Sequence, residues 1–227
     1  MNTKHYLAAI FAAAILSIGF LSCDPKEDDP TTNPTTSTDV VKEIYGYYGK
    51  PAEQVIALLD AKGWMKITDS TSYGIIYTYL SIDSNKTYAI YSIDNTIKGS
   101  GYGEVEMPIL INKLASNTNK FISLFEKWEE SLSKISILNS VYQGTIIAND
   151  YQFEQDYESR EMFLTDFQLK KPSLNSASSS FSNSQMRGYV SINLDYETDD
   201  SEVYVVFEDS LISENINKNN NNTWFRK

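Results

Sequence analysis

Apolar and polar positions recur along this chain with two different periods, and the places where the period changes mark its elements. In KPAEQVIALLDAKGW, residues 50–64, Val55, Leu58 and Leu59 repeat at helical spacing. Pro51 suits the first turn of that helix, Glu53 complements its dipole and Gly63 suits its stop. In NKFISLFEKWEESLSKI, residues 119–135, the residues Phe121, Phe125, Trp128, Leu132 and Ile135 form one apolar stripe. Glu126, Lys127, Glu129 and Glu130 are expected to face water on the other side.

Period two governs YGIIYTYLSI (73–82) and TYAIYSI (87–93), two predicted strands joined by the turn Asp83-Ser84-Asn85-Lys86. It governs YVSINLDY (189–196) and EVYVVFE (202–208) most cleanly, with Val190, Ile192, Leu194 and Tyr196 on one face, then Val203, Val205 and Phe207. Such alternation implies one buried and one solvated face. VYQGTIIA (141–148) and REMFLTDFQL (160–169) also read as strands. NTIKGSGYGEVEM reads as a glycine-rich loop and KKPSLNSASSSFSNSQ as a mobile serine-rich loop. Residues 108–114 fit either a turn of helix or a continued strand.

The order of these elements predicts a single α+β domain over residues 40–213, an antiparallel sheet with about two helices packed on one face. Residues 50–94 and 118–169 both run helix then strands, which hints at a duplicated unit. The asparagine-rich tail, 214–227, has no apolar pattern and is expected to be disordered.

The first forty residues follow a different logic. Lys4 gives a short positive region, and YLAAIFAAAILSIGF is an apolar run of signal-peptide length, short of the roughly 20 residues of a bilayer span. Leu21-Ser22-Cys23 closes it, and DPKEDDPTTNPTTSTD (24–39) follows as a proline, threonine and acid tether that cannot bury enough surface to order itself. The segment 1–23 resembles the signal peptide and lipobox of bacterial lipoproteins. That resemblance implies removal of residues 1–22, acylation of Cys23 and tethering to a membrane without spanning it. Several acyl chains, at about 0.8 kcal/mol per buried CH₂, make such an anchor durable. The acids DPKEDD resemble the surface-export signal of Bacteroidota lipoproteins, which implies an outer-membrane anchor facing the cell exterior. In proteobacteria the aspartate at position 24 would imply inner-membrane retention instead.

Charge and composition narrow the chemistry. The chain has 19 basic and 30 acidic residues, a formal charge of −11; losing the signal removes Lys4 and no acid, so the mature balance is 18 − 30 = −12. A nucleic-acid partner, or purely electrostatic binding to anionic lipid, would need basic patches instead. The only histidine is His5 and the only cysteine is Cys23. The mature domain therefore has no Ser-His-Asp or Cys-His catalytic set and no His/Cys zinc site, and no cofactor is expected.

Several stretches invite a functional reading. GSGYGEVE, 99–106, lacks the spacing and following helix of a phosphate loop. Asp150, Glu154, Asp156 and Glu158, and then Asp195, Glu197, Asp199 and Asp200, are acid clusters without a calcium-loop pattern. Asp69-Ser70-Thr71 and Asp209-Ser210-Leu211 resemble the short O-glycosylation signal of Bacteroidota. Tyr77 and Tyr79 alternate opposite Ile76 and Leu80, and Tyr204 opposite Val203 and Val205. If the aliphatic faces are the core, these three rings line the outer face of the sheet and suit sugars or a protein partner. Tyr45, Tyr47 and Tyr48 could add to that surface or pack the start of the domain. The expectation is a surface-anchored, non-enzymatic binding or accessory module for an extracellular glycan or a neighbouring outer-membrane protein. A carboxylate-based polysaccharide hydrolase and a purely structural surface protein are the alternatives.

Overall fold

The computed structural model describes residues 37–71, 74–83, 85–106, 114–135, 140–196 and 200–210. The signal segment, Cys23, most of the tether, residues 108–113 and the asparagine-rich tail lie outside the described residues. Four α-helices and nine strands follow in the order α1 (Ser37–Tyr45), α2 (Ala52–Asp60), β1 (Met65–Ser70), β2 (Ile75–Leu80), β3 (Lys86–Ile93), β4 (Thr96–Glu106), α3 (Leu114–Lys134), β5 (Val141–Ala148), β6 (Phe153–Tyr157), α4 (Arg160–Lys170), β7 (Leu174–Ser182), β8 (Met186–Asp195) and β9 (Asp200–Asp209). The strands form one sheet in the order β1-β2-β3-β4-β9-β8-β7-β5-β6. Every neighbouring pair is antiparallel. The expected antiparallel sheet with helices is therefore present, with four helices among the described residues rather than two.

The helix stripe read in 119–135 is the core of α3: Phe121, Phe125 and Leu132 are fully buried and Trp128 nearly so. Glu129 departs from expectation. It is buried, and its carboxylate accepts from Arg160 Nε and Nη2 at 2.7 Å each, and from Ser179 Oγ at 3.3 Å. Burying a charge is costly unless it is paired and hydrogen-bonded, and this carboxylate is both.

Three expectations are overturned, two of them because pairing across the sheet outweighs local pattern. Residues 160–170 form α4, not a strand. The Ser159 Oγ caps it by accepting from the Met162 N–H, Glu161 sits in the first turn, and Phe163 and Phe167 bury one turn apart. The glycine-rich loop is β4, a central strand paired with β3 on one side and β9 on the other. The serine-rich loop is mostly β7, held between β5 and β8.

Register defines two faces. Tyr79, Tyr88, Tyr102, Val205, Val190, Ser179 and Gly144 are successive cross-strand partners and share what we call the inner face. Residues of that face meet the helices. Tyr79 donates to Asp60 of α2, Ser100 Oγ donates to the Ile44 carbonyl of α1 at 2.7 Å, and Gly188 and Gly144 lie against Leu132 of α3 and Phe163 of α4.

The chain reaches the sheet centre twice by the same route. From edge to centre, α2-β1-β2-β3-β4 is matched by α3-β5-β7-β8-β9, with β6 and α4 inserted between β5 and β7. The topological repeat therefore spans 52–106 and 114–209 rather than 50–94 and 118–169, which missed the serine strand.

Close packing between α3 and the sheet makes one glycine irreplaceable. A Cβ at Gly188 would lie 2.7 Å from Leu132 Cδ1 and 2.8 Å from Phe207 Cε1, both side chains fully buried. At Gly103 the nearest atom would be Tyr204 Cβ at 3.4 Å. Gly188→Ala should lose about 1–3 kcal/mol of unfolding free energy through overpacking. Gly103→Ala should stay within about 0.5 kcal/mol of the parent. Urea unfolding of the two variants side by side checks both.

Candidate binding surface

The sheet separates the three tyrosines expected to share an outer face. Tyr79 is on the inner face and fully buried, and its hydroxyl donates to Asp60 Oδ1 at 2.9 Å. Tyr77 lies two residues along the same face, half-buried, with the Lys66 ammonium 5.5 Å from its ring centre. Tyr204 pairs with Gly103 and Ser191 on the opposite face. Alternation divided the residues of β2 correctly but assigned the wrong set to the core.

The inner-face tyrosines belong to a packed network that sequence reasoning missed. Trp64, Tyr88, Tyr102 and Trp128 follow one another with ring centroids 5.3, 4.8 and 5.6 Å apart. Glu43 of α1 accepts from the Tyr47 hydroxyl at 2.5 Å and the Tyr88 hydroxyl at 2.7 Å, and pairs with Lys62 at 3.1 Å. Burial, and then the neighbouring carboxylates, push the phenols of Tyr47, Tyr79, Tyr88 and Tyr102 up, so they remain neutral donors. Their hydroxyls donate to the carboxylates of Glu43, Asp60 and Glu104, which leaves them no role as bases.

The outer face is divided in accessibility. Over β3, β4 and the end of β9 it is closed: Thr87, Ala89, Tyr91, Val206 and Glu208 are all buried. The three glycines of β4, Gly99, Gly101 and Gly103, pair with Glu208, Val206 and Tyr204 there. Over β5, β7 and β8 it is open. Thr145, Ser176, Ser178, Ser182, Ser191 and Asn193 are half-exposed at positions that register places side by side.

Two rings stand in that open part. Tyr189 and Tyr204 are half-exposed diagonal neighbours, with centroids 6.0 Å apart and planes at 86°. The Arg187 guanidinium lies 5.0 Å from the Tyr189 ring centre and 3.8 Å from the buried Glu208 carboxylate. Tyr189 was legible in principle, because it alternates opposite Val190, Ile192 and Leu194.

The described acids of the first cluster do not converge, and in the second Asp195 and Asp200 are cross-strand partners. Glu154 and Asp156 are exposed on edge strand β6, where Asp156 accepts from Thr145 Oγ1 at 2.6 Å. Asp150 and Glu158 are exposed beyond either end of that strand, and Glu197 and Asp199 lie outside the described residues. No group of three His, Cys, Asp or Glu that could hold a metal ion occurs among the described residues. Of the two glycosylation-like triplets, Ser70 is exposed at the end of β1, whereas the Ser210 hydroxyl is half-buried and donates to the Asn183 carbonyl at 2.8 Å.

No protein-family model matches the chain, and no curated protein matches it. Among solved structures it is similar to a cysteine-rich secretory protein from Staphylococcus aureus, at 13% identity and a TM-score of 0.32. The likeness covers 76% of this chain and 48% of that one, so the chain spans about half the length of that protein.

The Glu43 cluster sets a pH dependence. Burial raises this carboxyl, but the Tyr47 and Tyr88 donors and the Lys62 ammonium outweigh it and hold the group below its ordinary value. A carboxyl lowered in the folded state stabilises the fold above its unfolded pKa of about 4.3, and that contribution is lost as pH falls through the folded value. Unfolding midpoints measured from pH 7 down to 3 should therefore fall on the acid side, and Glu43→Gln should make that fall shallower.

Proposed function

We propose that the protein is a lipid-tethered, non-enzymatic binding module displayed on the cell exterior, with helices covering one face of its sheet and the open part of the other face engaging a partner. The observation that carries this reading is the half-exposed tyrosine pair, set among half-exposed hydroxyls and an amide on the sheet face opposite the one that meets α1 and α2. Aromatic anchors with a polar surround are what a recognition surface needs.

The tether part rests on Cys23 and the acids behind it. No described helix is long and apolar enough to cross a membrane. The non-enzymatic part is supported by the chemistry of the acids. A glycoside hydrolase needs one carboxyl raised to act as an acid and a second carboxyl facing it. Among the described residues, the carboxyls of Glu43, Asp60, Asp83 and Glu130 are displaced downward, away from what such an acid needs.

Two measurements test the reading. Cys23→Ala should move the protein from the membrane fraction to the soluble one, and protease added to intact cells should digest the parent; a protected parent would reject surface display. A photoreactive residue at Ser178, on the open face, should yield adducts on intact cells, whereas one at the exposed Lys127 of α3 should not. Adducts from Lys127 alone would reject this face as the binding surface.

A further inference from the structure

We infer that the open part of the outer face, over β5, β7, β8 and the Tyr204 segment of β9, is a subsite for an uncharged polysaccharide, with Tyr189 and Tyr204 as its stacking rings. This rests on the binding reading above and adds the chemistry of the ligand. Four features of the face converge on it.

The first is its hydrogen-bonding character. Along β7, Ser176, Ser178, Ser180 and Ser182 occupy successive outer positions, a row about 20 Å long at 3.3–3.4 Å per residue. Ser180 is buried, its hydroxyl donating to the Gln143 carbonyl at 3.3 Å, while the other three are half-exposed. Ser191 and Asn193 extend the polar surface onto β8. A hydroxyl both donates and accepts, as a sugar hydroxyl does, so a row of them fits a polyhydroxylated chain along its length.

The second is what the face lacks. Protein interfaces place desolvated apolar side chains at their centre. Here the aliphatic residues within the face, Val206 and Ile147, are themselves buried, and the exposed Val141 stands at a corner. The third is the ring pair, whose perpendicular planes present aromatic surface in two directions. Arg187 over Tyr189, paired with Glu208, holds that ring in place before any ligand arrives, which lowers the ordering cost of binding.

The fourth is charge. The described charged residues of this face are Arg187 against Glu154, Asp156, Asp195, Glu202 and Glu208, one positive and five negative. Such a surface, on a chain already at −11, repels uronate or sulfate groups. An uncharged glycan pays no such penalty.

The test is retention of the full-length lipidated protein, in detergent micelles, in gels cast with uncharged polysaccharides (glucan, mannan, xylan) or anionic ones (polygalacturonate, heparin). We expect retention by at least one uncharged polymer, with no released sugar. The dissociation constant should rise tenfold or more in Tyr204→Ala and in Ser178→Glu, and stay unchanged in Tyr151→Ala, whose ring is exposed on the β5–β6 turn. Ser178→Glu decides the matter should Tyr204→Ala fail to fold, because its site is half-exposed. Retention unaffected by either substitution, retention only by anionic polymers, or none at all would overturn the inference. Discrete protein adducts from the Ser178 crosslinker, alongside no glycan retention, would leave the binding reading standing while this one falls.

Discussion

The antiparallel pairing of β4 with β9 is the constraint on which the rest of the molecule depends. It runs from Gly99 opposite Glu208 to Glu106 opposite Ser201 and joins two half-sheets that otherwise end in unpaired edges. An open central edge would expose a row of unpaired backbone groups, which proteins cover or pair. Here each half is the cover for the other. The pairing also aligns Tyr102, Val205 and Val190 across three strands, so the surface under α1 and α3 is continuous rather than split at the junction. Each large side chain buried there contributes about 1.5–3 kcal/mol. Glycine at 99, 101 and 103 keeps side chains off the other side of β4 in the closed part of that face, and Tyr204 stands at its border.

Two acids at the helix–sheet junctions are held by several partners each. Glu129 is held by both arms of the Arg160 guanidinium fork and by Ser179, tying α3 to the start of α4 and to β7. Glu43 takes two phenols and an ammonium. An unpaired charge at the buried Glu129 would cost several kcal/mol, so that residue specifies how α3 and α4 dock as much as it stabilises them. The abundance of tyrosine follows in part from this. A phenol fills core volume as phenylalanine does and carries one donor to an acid at its rim.

That dual use explains what could be read from the chain and what could not. The α3 stripe and the β2–β3 hairpin were legible because their periodicity is local and unbroken. The β7 strand was not: serine carries no strand preference strong enough to overcome the look of a loop, and only pairing with β5 and β8 makes it regular. β4 hid behind its glycines for the same reason. In α4, Phe163 and Phe167 are one helical turn apart, and Ser159 with Glu161 gave a start signal, yet the aromatic content suggested a strand. For the binding face, period two divided each strand into two sets but could not say which set was inside. The assumption that tyrosine means exposed failed at β2, where Tyr79 is fully buried on the face that meets α2. It succeeded at β9 because Val203, Val205 and Phe207 leave Tyr204 no inner position.

The two faces thus divide the tyrosines by what lies opposite them. Where an acid from a helix reaches the ring's hydroxyl, as Asp60 reaches Tyr79, the ring is structural. Tyr189 and Tyr204 stand edge to face on the opposite side, with Arg187 over the Tyr189 ring, and both are half-exposed. On the proposed reading the tether then matters as geometry. Fourteen residues from Cys23 to Ser37 (37 − 23 = 14) reach at most about 50 Å when extended, comparable with a small domain's own width. At full reach the domain stands several Debye lengths, about 8 Å each at physiological salt, from the membrane, so the charge of that surface neither repels nor orients the open face.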